Sequence, residues 1–438
     1  MLRSSREPRP RLVVREEPIS GFHYALSGGV VAVLLFAPLA FGAVQEWAFA
    51  VVEVAATLLF VTWLWNQTRS NKLEIVRSPL YLPIAGFAVL ALIQLIFRTT
   101  AYPYATWTET LKYAAYGLVF FVTLQSFRSD RQVRYFAWTV SAFGFLLALF
   151  AILQQFTGGG KIYWVKSIQY GWIYGPYVNH NHYAGIMELL VPMPLALSLS
   201  NRIEAPKRVM LGFAAVIMAS TIFLSGSRSG MVAFLVEAIF FAAVLFAQRK
   251  GRRPALLLAA ALVVTFGLIA WIGGSEIASR IGKIHEHLRA EEATGRVQIL
   301  KDGIGMARAR PITGWGLGAF PIVYPHFRSF YTDLFVNEAH NDYLQVLIEM
   351  GVPGFALVVW FLIALYRRGM HRLPSESRMS VSLRLAALAA CTGILAHSFT
   401  DFNLHIPANA AWYFVMCALA TRPAQESKNK KRNEIASC

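Results

Sequence analysis

Repeated apolar runs of membrane-spanning length constrain this chain more than any other feature. A helix that crosses a hydrocarbon core of roughly 30 Å needs about 20 mostly apolar residues. Runs that approach this length cover residues 24–44, 47–65, 79–97, 113–127, 133–156, 182–200, 209–224, 231–248, 254–272, 343–366, 381–399 and 406–420. Of the 438 residues, 56% are hydrophobic and only 15% are charged, which is typical of a chain folded in lipid. The sequence therefore predicts an all-α polytopic membrane protein with about twelve transmembrane helices, in a single integral membrane domain over residues 1–438.

Lysine and arginine cluster in alternate connections between these runs, and this sets the predicted orientation. Short connections that are rich in these residues stay on the cytoplasmic side of a membrane. The basic clusters lie at residues 3–15, 69–77, 128–134, 202–208, 249–253, 367–378 and 428–432. The pattern predicts a multi-pass inner-membrane protein with both termini in the cytoplasm. It also accounts for the formal net charge of +17, so we expect contacts with membrane lipids and no nucleic-acid partner.

The longest predicted extracytoplasmic segment, residues 273–342, precedes the tenth predicted helix. A loop of this length usually has its own structure or a function. Two stripes of apolar residues at helical spacing, Ile277 to Leu288 and Val297 to Ile304, predict helices on or near the membrane surface, with packing onto the bundle as the alternative. The segment is rich in arginine, whose planar guanidinium suits phosphate. We therefore expect a large helical periplasmic loop that carries part of the active site.

Two glycine-containing motifs place arginine at this predicted outer face. The turn SGSRSG at residues 225–230 joins two predicted helices, and its small residues would let a ligand approach backbone N–H groups beside Arg228. A flexible turn is the alternative. Gly295 and Arg296 lie between the two apolar stripes, and the run PITGWGLG at residues 311–318 predicts a tightly turned loop after Arg310. Arg228 and Arg296 are candidates for binding phosphate, and Arg310 is a possible supporting residue.

The string EAHND at residues 338–342 opens the tenth predicted helix. Asn341 or Asp342 can cap this helix, which leaves His340 just outside the first turn and facing the polar loop. A single histidine is more often structural than catalytic. The position of His340 beside the arginine-rich segment favours a catalytic role, with Asn341 and Asp342 in support.

The same predicted helix carries two features that are unusual inside a membrane. Gly351 and Pro353 predict a kink or a break. Glu349 requires a polar partner in this setting, and we interpret this residue as structural.

Two further segments contain histidine near predicted helix ends. The string NHNH at residues 179–182 supplies His180 and His182 as possible supporting residues, and residues 397–405 include Asp401. With His340 and Asp342 they could form a metal site. The sequence has no tight metal-binding spacing such as H-E-x-x-H, so we expect no metal and no cofactor. Hydrogen bonding to sugar hydroxyls or helix capping is the favoured interpretation.

Taken with the span count, these motifs resemble the O-antigen ligase and O-antigen polymerase superfamily. The resemblance rests on the NHNH string, the SGSRSG turn, Gly295-Arg296, the GWGLG loop and His340-Asn341-Asp342. It implies an enzyme that transfers a glycan from undecaprenyl diphosphate to an acceptor on the periplasmic face. By this resemblance Arg228 and Arg296 would bind the diphosphate, and His340 would serve the acceptor hydroxyl.

Several alternatives stay open at the level of sequence. A ligase would use lipid A core as the acceptor, a polymerase would use a second lipid-linked glycan, and a protein oligosaccharyltransferase is a third variant. A glycolipid transporter would also be polytopic, but transporters usually carry internal repeats and broken or charged helices near the middle of the membrane. The motifs of this chain lie at one predicted face, so we rank the transporter and a mere scaffold below the enzyme.

Overall fold

The computed structural model of the protein describes residues 20–71, 73–168, 171–249, 288–333, 335–371 and 377–423, and over these it is almost entirely helical. The helices are α1 (Gly21–Leu39), α2 (Glu46–Arg69), α3 (Tyr81–Ile96), α4 (Pro103–Ser126), α5 (Asp130–Thr157), α6 (His180–Leu190), α7 (Pro192–Ser198), α8 (Ala205–Leu224), α9 (Arg228–Arg249), α10 (Leu288–Ala309), α11 (Phe320–Val323), α12 (Asp342–Met370), α13 (Arg378–His397) and α14 (Pro407–Thr421). Short 3-10 turns occur at Phe41–Ala43, Tyr324–His326 and Asn403–His405. A small antiparallel hairpin pairs β1 (Lys161–Ile162) with β2 (Lys166–Ser167).

Many of these helices are long and apolar enough to cross a membrane. Within the described residues, seven meet both conditions: α1, α2, α5, α8, α9, α12 and α13, while α3 is a shorter apolar helix. Each predicted span except residues 254–272 overlaps described helices, and the span at residues 182–200 overlaps two of them. Residues 254–272 lie outside the described part of the chain. The protein is therefore an all-helical, multi-pass membrane protein.

The helix starts follow local sequence signals. Ser129 caps α5 by accepting from the backbone N–H of Gln132, and the Gln132 side chain returns a bond to the Ser129 backbone. Asn341 caps α12 by accepting from the N–H of Leu344 at 2.9 Å, which confirms the predicted cap. Each such cap is worth about 1 kcal/mol.

One predicted span is divided in two. The apolar run at residues 182–200 forms α6 and α7, which meet at Val191. Proline has no N–H and clashes with the preceding turn, so Pro192 and Pro194 interrupt the helical hydrogen bonds at this point. A count of apolar residues does not register this break, because proline interrupts the backbone without adding charge.

A second interruption lies in α12 and confirms the kink predicted at Gly351. Gly351 has φ +65° and ψ −171°, a conformation that glycine alone adopts readily. The carbonyl groups that the kink frees are satisfied by the glycine-rich loop at residues 311–318. Trp315 N–H donates to the Ile348 carbonyl at 3.0 Å, and Gly316 N–H donates to the Glu349 carbonyl at 2.9 Å. The tight turn predicted for this loop is also present, since Gly314 has φ +64°.

Helix α10 packs lengthwise against α12. At Gly303 the two helices approach so closely that an added Cβ would lie 3.1 Å from both Leu344 and Ile348 side chains. Gly295 and Arg296 lie within α10. In the predicted stripe, Val297 and Ile304 are exposed, and the buried apolar residues of α10 include Ile299 and Met306 instead. Most of the other predicted stripe, residues 277–284, lies outside the described residues.

The centre of the bundle is α13, which packs against α6, α7, α9 and α14. Its fully buried alanines allow this close packing between helices, and they are Ala386, Ala387, Ala389 and Ala390. Helix α13 ends where α6, α9, α12 and α14 begin. We call this end of the bundle the site end, because the candidate residues gather there.

Candidate active site

His340 lies at the site end, immediately before α12. Its Nδ1 atom lies 3.5 Å from Oδ1 of Asp401, and the His340 side chain is 24% exposed while that of Asp401 is fully buried. The backbone of His340 has φ +52°, a left-handed conformation that residues other than glycine seldom adopt. The chain thus holds this imidazole with one nitrogen toward a buried carboxylate and one edge accessible.

Asp401 is surrounded by imidazole groups. Nε2 of His182 lies 4.0 Å from the same Oδ1 atom. Burial, the largest single influence, acts to raise the pKa of Asp401, but the neighbouring His340, His182 and His397 outweigh it and hold the pKa well below its usual range. Oδ2 of Asp401 is buried and accepts no hydrogen bond from the described residues. The neighbouring imidazoles therefore favour the ionised form of the Asp401 carboxyl group.

Phe402 fixes the two histidines on either side of this carboxylate. The rings of His340 and His182 pack edge-on against the Phe402 ring, with centroid distances of 5.1 and 4.8 Å. His182 is buried and His340 is partly exposed. The structure thus brings His340 and His182 together, although they lie in different helical segments.

A second ionic pair fastens the start of α12. Oδ1 of Asp342 lies 2.7 Å from Nδ1 of His405, and Oδ2 accepts from the Leu404 N–H at 3.2 Å. Burial acts to lower the pKa of His405, but Glu338, Asp342 and Glu349 together outweigh it and raise the pKa to about 10. His405 is therefore a cation at physiological pH. Asp342 holds the α12 start against the turn before α14, so its place is structural.

Asn341 likewise serves the backbone. Besides capping α12, its Nδ2 atom donates to the Phe399 carbonyl at 3.0 Å. His340 is thereby held between two anchored residues, Asn341 and the buried Ala339. The anchoring explains how a strained backbone conformation persists at His340.

Arg228 is the exposed first residue of α9. Ser227 accepts from the Gly230 N–H at 3.1 Å, so the turn is a fixed helix cap. The turn also contacts the segment before α6, since an added Cβ on Gly226 would lie 3.5 Å from Trp172. Trp172 stacks on His180 with a centroid distance of 4.7 Å. Arg228 and His180 are thus brought to the same end of the bundle as His182.

Arg296 occupies the α12-facing side of α10. It precedes Gly303, which contacts Leu344, by seven residues, or two helical turns. A rise of 1.5 Å per residue places Arg296 roughly 10 Å further along α10. Near there, Gly295 lies next to Phe330, with an added Cβ 3.8 Å from that ring. Gly295, the residue before Arg296, therefore lies beside the segment that leads into the start of α12.

Arg310 has a different environment from the other two arginines. Its guanidinium carbon lies 4.1 Å from the centre of the Trp315 ring, and Nη1 donates to the Thr99 carbonyl at 3.2 Å. These contacts tie the glycine-rich loop to the connection between α3 and α4. The structure thus gives Arg310 a bracing role at that loop.

Glu349 has the partners that its membrane position requires. Its carboxylate accepts from the N–H groups of Gly318 at 2.8 Å and Phe320 at 3.2 Å, and from the Gln345 side chain at 3.3 Å. The structural interpretation of Glu349 agrees with these contacts. Among the residues that the structure describes, no group of three His, Cys, Asp or Glu side chains is arranged to hold a metal ion.

Part of the chain is similar to a known protein family. Residues 213–359 match the family model described as O-Antigen ligase, a range that includes Arg228, Arg296 and His340. This match covers about a third of the chain and makes that part similar to the O-antigen ligase family. This confirms the resemblance to the O-antigen ligase and polymerase superfamily, whose members resembling this chain are glycosyltransferase-like enzymes of lipid-linked glycans.

One curated relative extends the comparison. The chain is 22% identical over 167 residues to the exopolysaccharide production protein ExoQ of Rhizobium meliloti (strain 1021). The alignment covers 37% of this chain and 37% of that protein. The chain therefore matches little more than a third of the length of this relative.

Two residues of the site were not assigned roles by the sequence. The sequence offers Asp401 as a possible metal ligand or, preferably, for hydrogen bonding to sugar hydroxyls or helix capping, and its approach to His340 depends on the packing of α12 beside α13. Glu188, which contacts His397 at 2.8 Å, was not singled out. A carboxylate within an apolar run is a signal that could have identified Glu188.

Proposed function

We propose that this protein transfers a glycan from undecaprenyl diphosphate to an acceptor hydroxyl of lipid A core, on the periplasmic face of the bacterial inner membrane. The observation that carries the proposal is the partly exposed His340 imidazole beside the buried Asp401 anion, at one end of a membrane bundle. The O-antigen ligase match over residues 213–359 supports the same class of reaction.

The geometry suggests how the residues would act. An anion beside Nδ1 favours the His340 tautomer that carries its proton on Nδ1, which leaves Nε2 free to accept a proton. Nε2 would take the proton of the acceptor hydroxyl as its oxygen bonds to the anomeric carbon. The bond from that carbon to the diphosphate breaks, and the electron pair leaves with the diphosphate. His340 then returns its proton to the leaving group or to water.

The arginines would act on the leaving group. Negative charge grows on the diphosphate as the glycosidic bond breaks, and guanidinium groups can neutralise it. Arg228 begins α9 and Arg296 lies on α10, so a diphosphate bound by both arginines would be held between two separate elements. His180, whose ring stacks on Trp172, would support binding on the Arg228 side.

A polymerase is the second candidate function. The relative that matches this chain is named for exopolysaccharide production, and a polymerase would use a second lipid-linked glycan in place of lipid A core. The catalytic roles of His340, Arg228 and Arg296 would be unchanged, because only the source of the hydroxyl differs.

Reconstituted transfer tests both candidates. The purified protein receives an undecaprenyl-diphosphate-linked glycan in EDTA, with lipid A core offered or omitted. Product on lipid A core indicates a ligase, and longer carrier-linked chains without it indicate a polymerase. We expect activity in EDTA, and inhibition by EDTA that added metal reverses would contradict the metal-independent mechanism. Absence of product in both arms would contradict the proposed function.

Two variants test the assigned roles. Replacing His340 by alanine should slow transfer by about 100-fold to 10,000-fold, the usual contribution of a general base. Arg296→Ala should lose about 3 to 4 kcal/mol of transition-state stabilisation. Arg308→Ala, at an exposed position of the same helix, is the matched control and should retain activity. Equal rates for Arg296→Ala and Arg308→Ala would contradict diphosphate binding by Arg296.

The proposed orientation can be tested separately. We place the loop at residues 273–342 in the periplasm and both termini in the cytoplasm. In a cysteine-free background, a cysteine at Tyr331, which is 84% exposed, should react with a membrane-impermeant maleimide added to intact spheroplasts. A cysteine at the exposed Ser70 should react only after lysis. The reverse pattern would contradict this topology.

A further inference from the structure

A buried carboxylate lies directly beneath the proposed site. Glu188 belongs to α6, its side chain is fully buried, and its Oε1 atom lies 2.8 Å from Nδ1 of the equally buried His397 at the end of α13. Charged or strongly polar side chains inside a membrane bundle are costly and usually serve function. Neither Glu188 nor His397 is exposed to a substrate, so any contribution to transfer acts through other residues.

His397 connects this pair to the carboxylate beside the catalytic histidine. Its carbonyl accepts from the N–H of Thr400 at 2.9 Å and from the N–H of Asp401 at 3.1 Å. The turn that carries Asp401 is therefore built on the last turn of α13. A shift of His397 moves the Asp401 carboxylate.

The same helix that carries Glu188 also reaches the other side of Asp401. His182 precedes Glu188 by six residues on α6 and approaches Asp401 at 4.0 Å. Helix α6 therefore contacts the end of α13 at two levels: through Glu188 to His397, and through His182 to Asp401. Two contacts at different positions along α6 fix the relative axial position and rotation of α6 and α13.

A third element converges on Glu188. An added Cβ on Gly230 would lie 3.3 Å from Oε1 of Glu188 and 2.6 Å from the Ala184 side chain. Gly230 closes the turn that carries Arg228, so the start of α9 packs directly on Glu188. The carboxylate thus lies where the segments bearing His182, Asp401 and Arg228 meet.

We propose that Glu188 is a positioning residue for transfer, which through His397 fixes the place of Asp401 and, by contact, that of the Arg228 turn. The inference rests on the proposed function. A misplacement of about 1 Å at a remote position can cost about 100-fold in rate. Glu188 touches no substrate, so its loss lowers kcat and leaves KM for the acceptor unchanged.

Replacement of Glu188 by leucine is the first test. It removes the partner of His397, and we expect kcat to fall by about 100-fold with KM for the acceptor within about twofold of wild type. Glu188→Gln keeps an oxygen that can accept from Nδ1 of His397, so it should restore about tenfold of that loss. The matched control is Glu237→Leu, since Glu237 is also buried within the bundle, on α9, and approaches Gly393. We expect this control to keep kcat within about threefold of wild type.

A double variant separates positioning from folding. Replacing one partner of a buried pair destabilises a protein, whereas replacing both by apolar residues is often neutral. Glu188→Leu with His397→Leu should therefore recover the thermal stability lost in the single variant and still show the low kcat. Recovery of kcat together with stability would overturn the proposal, as would a single variant with wild-type kcat. Failure of the proposed function is distinct, because the wild-type protein would then form no product.

Discussion

The most informative single substitution is Asp401→Asn, which removes a charge and keeps the shape of the side chain. Two unit charges 3.5 Å apart attract by about 5 kcal/mol at an effective dielectric constant of about 20. In the proposed mechanism that energy would stabilise the imidazolium formed when His340 accepts a proton. If the proton is fully transferred in the transition state, the loss corresponds to about 3,000-fold in kcat; if half transferred, to about 50-fold.

Initial rates with purified protein in nanodiscs measure this effect. Lipid-linked donor is saturating, the acceptor is varied, and product is resolved by gel mobility. Asp333→Asn is the matched control, because Asp333 is exposed and its carboxylate accepts from Tyr331 rather than lying beside a histidine. The control should retain wild-type activity. An Asp401→Asn protein that folds normally and transfers within threefold of wild type would refute the assignment of Asp401 as the group that orients His340.

Two further predictions concern stability, measured as thermal unfolding in detergent. Gly316 has φ +108° and an added Cβ would lie 2.0 Å from Oγ1 of Thr100, so Gly316→Ala should destabilise the protein by about 2 kcal/mol or more. Gly305 lies in open space on α10, so the control Gly305→Ala should stabilise the protein by about 0.5 to 1 kcal/mol. Equal effects of the two substitutions on stability would contradict the described loop. His405 has a pKa raised from 6.5 to about 10, so its stabilising pairing with Asp342 should be complete below about pH 6.5 and lost as the pH rises through about 10. The stability difference between wild type and His405→Gln should shrink over that window, and a difference independent of pH would contradict the pairing.

Features with a local cause could be predicted from the sequence. Apolar runs located the helices, because the length of a span is set by the thickness of the membrane. The cap at Asn341 and the kink at Gly351 followed from side-chain and backbone chemistry within a few residues. The sequence indicates that Glu349 needs polar partners but does not identify them all. The N–H groups of Gly318 and Phe320 come from about 30 residues earlier in the chain.

The pairs that make the site could not be predicted in the same way. His340 and Asp401 are separated by all of α12 and α13, and Glu188 and His397 by 209 residues. No periodicity specifies which faces of these helices meet. Helix α10 shows the related limit, because Gly295 is a poor helix former and yet lies within the helix, where packing against α12 overrides local preference.

The break between α6 and α7 illustrates a third limit. Residues 182–200 have the composition of one span, and the prediction of a single helix there counted Pro192 and Pro194 with the apolar residues. The structure forms two helices instead. The longer of the two helices, α6, carries His182 and Glu188 to the end of α13.

The central claim is that His340 catalyses release of undecaprenyl diphosphate by transfer of its glycan to an acceptor hydroxyl. The most direct measurement is the rate at which a carrier-labelled donor yields undecaprenyl diphosphate in the presence of acceptor, for wild type and for His340→Ala at equal protein and confirmed folding. The account predicts that release matches glycan product one to one and falls at least about 100-fold in the variant. Equal release by both proteins, or release without transferred glycan, would contradict it.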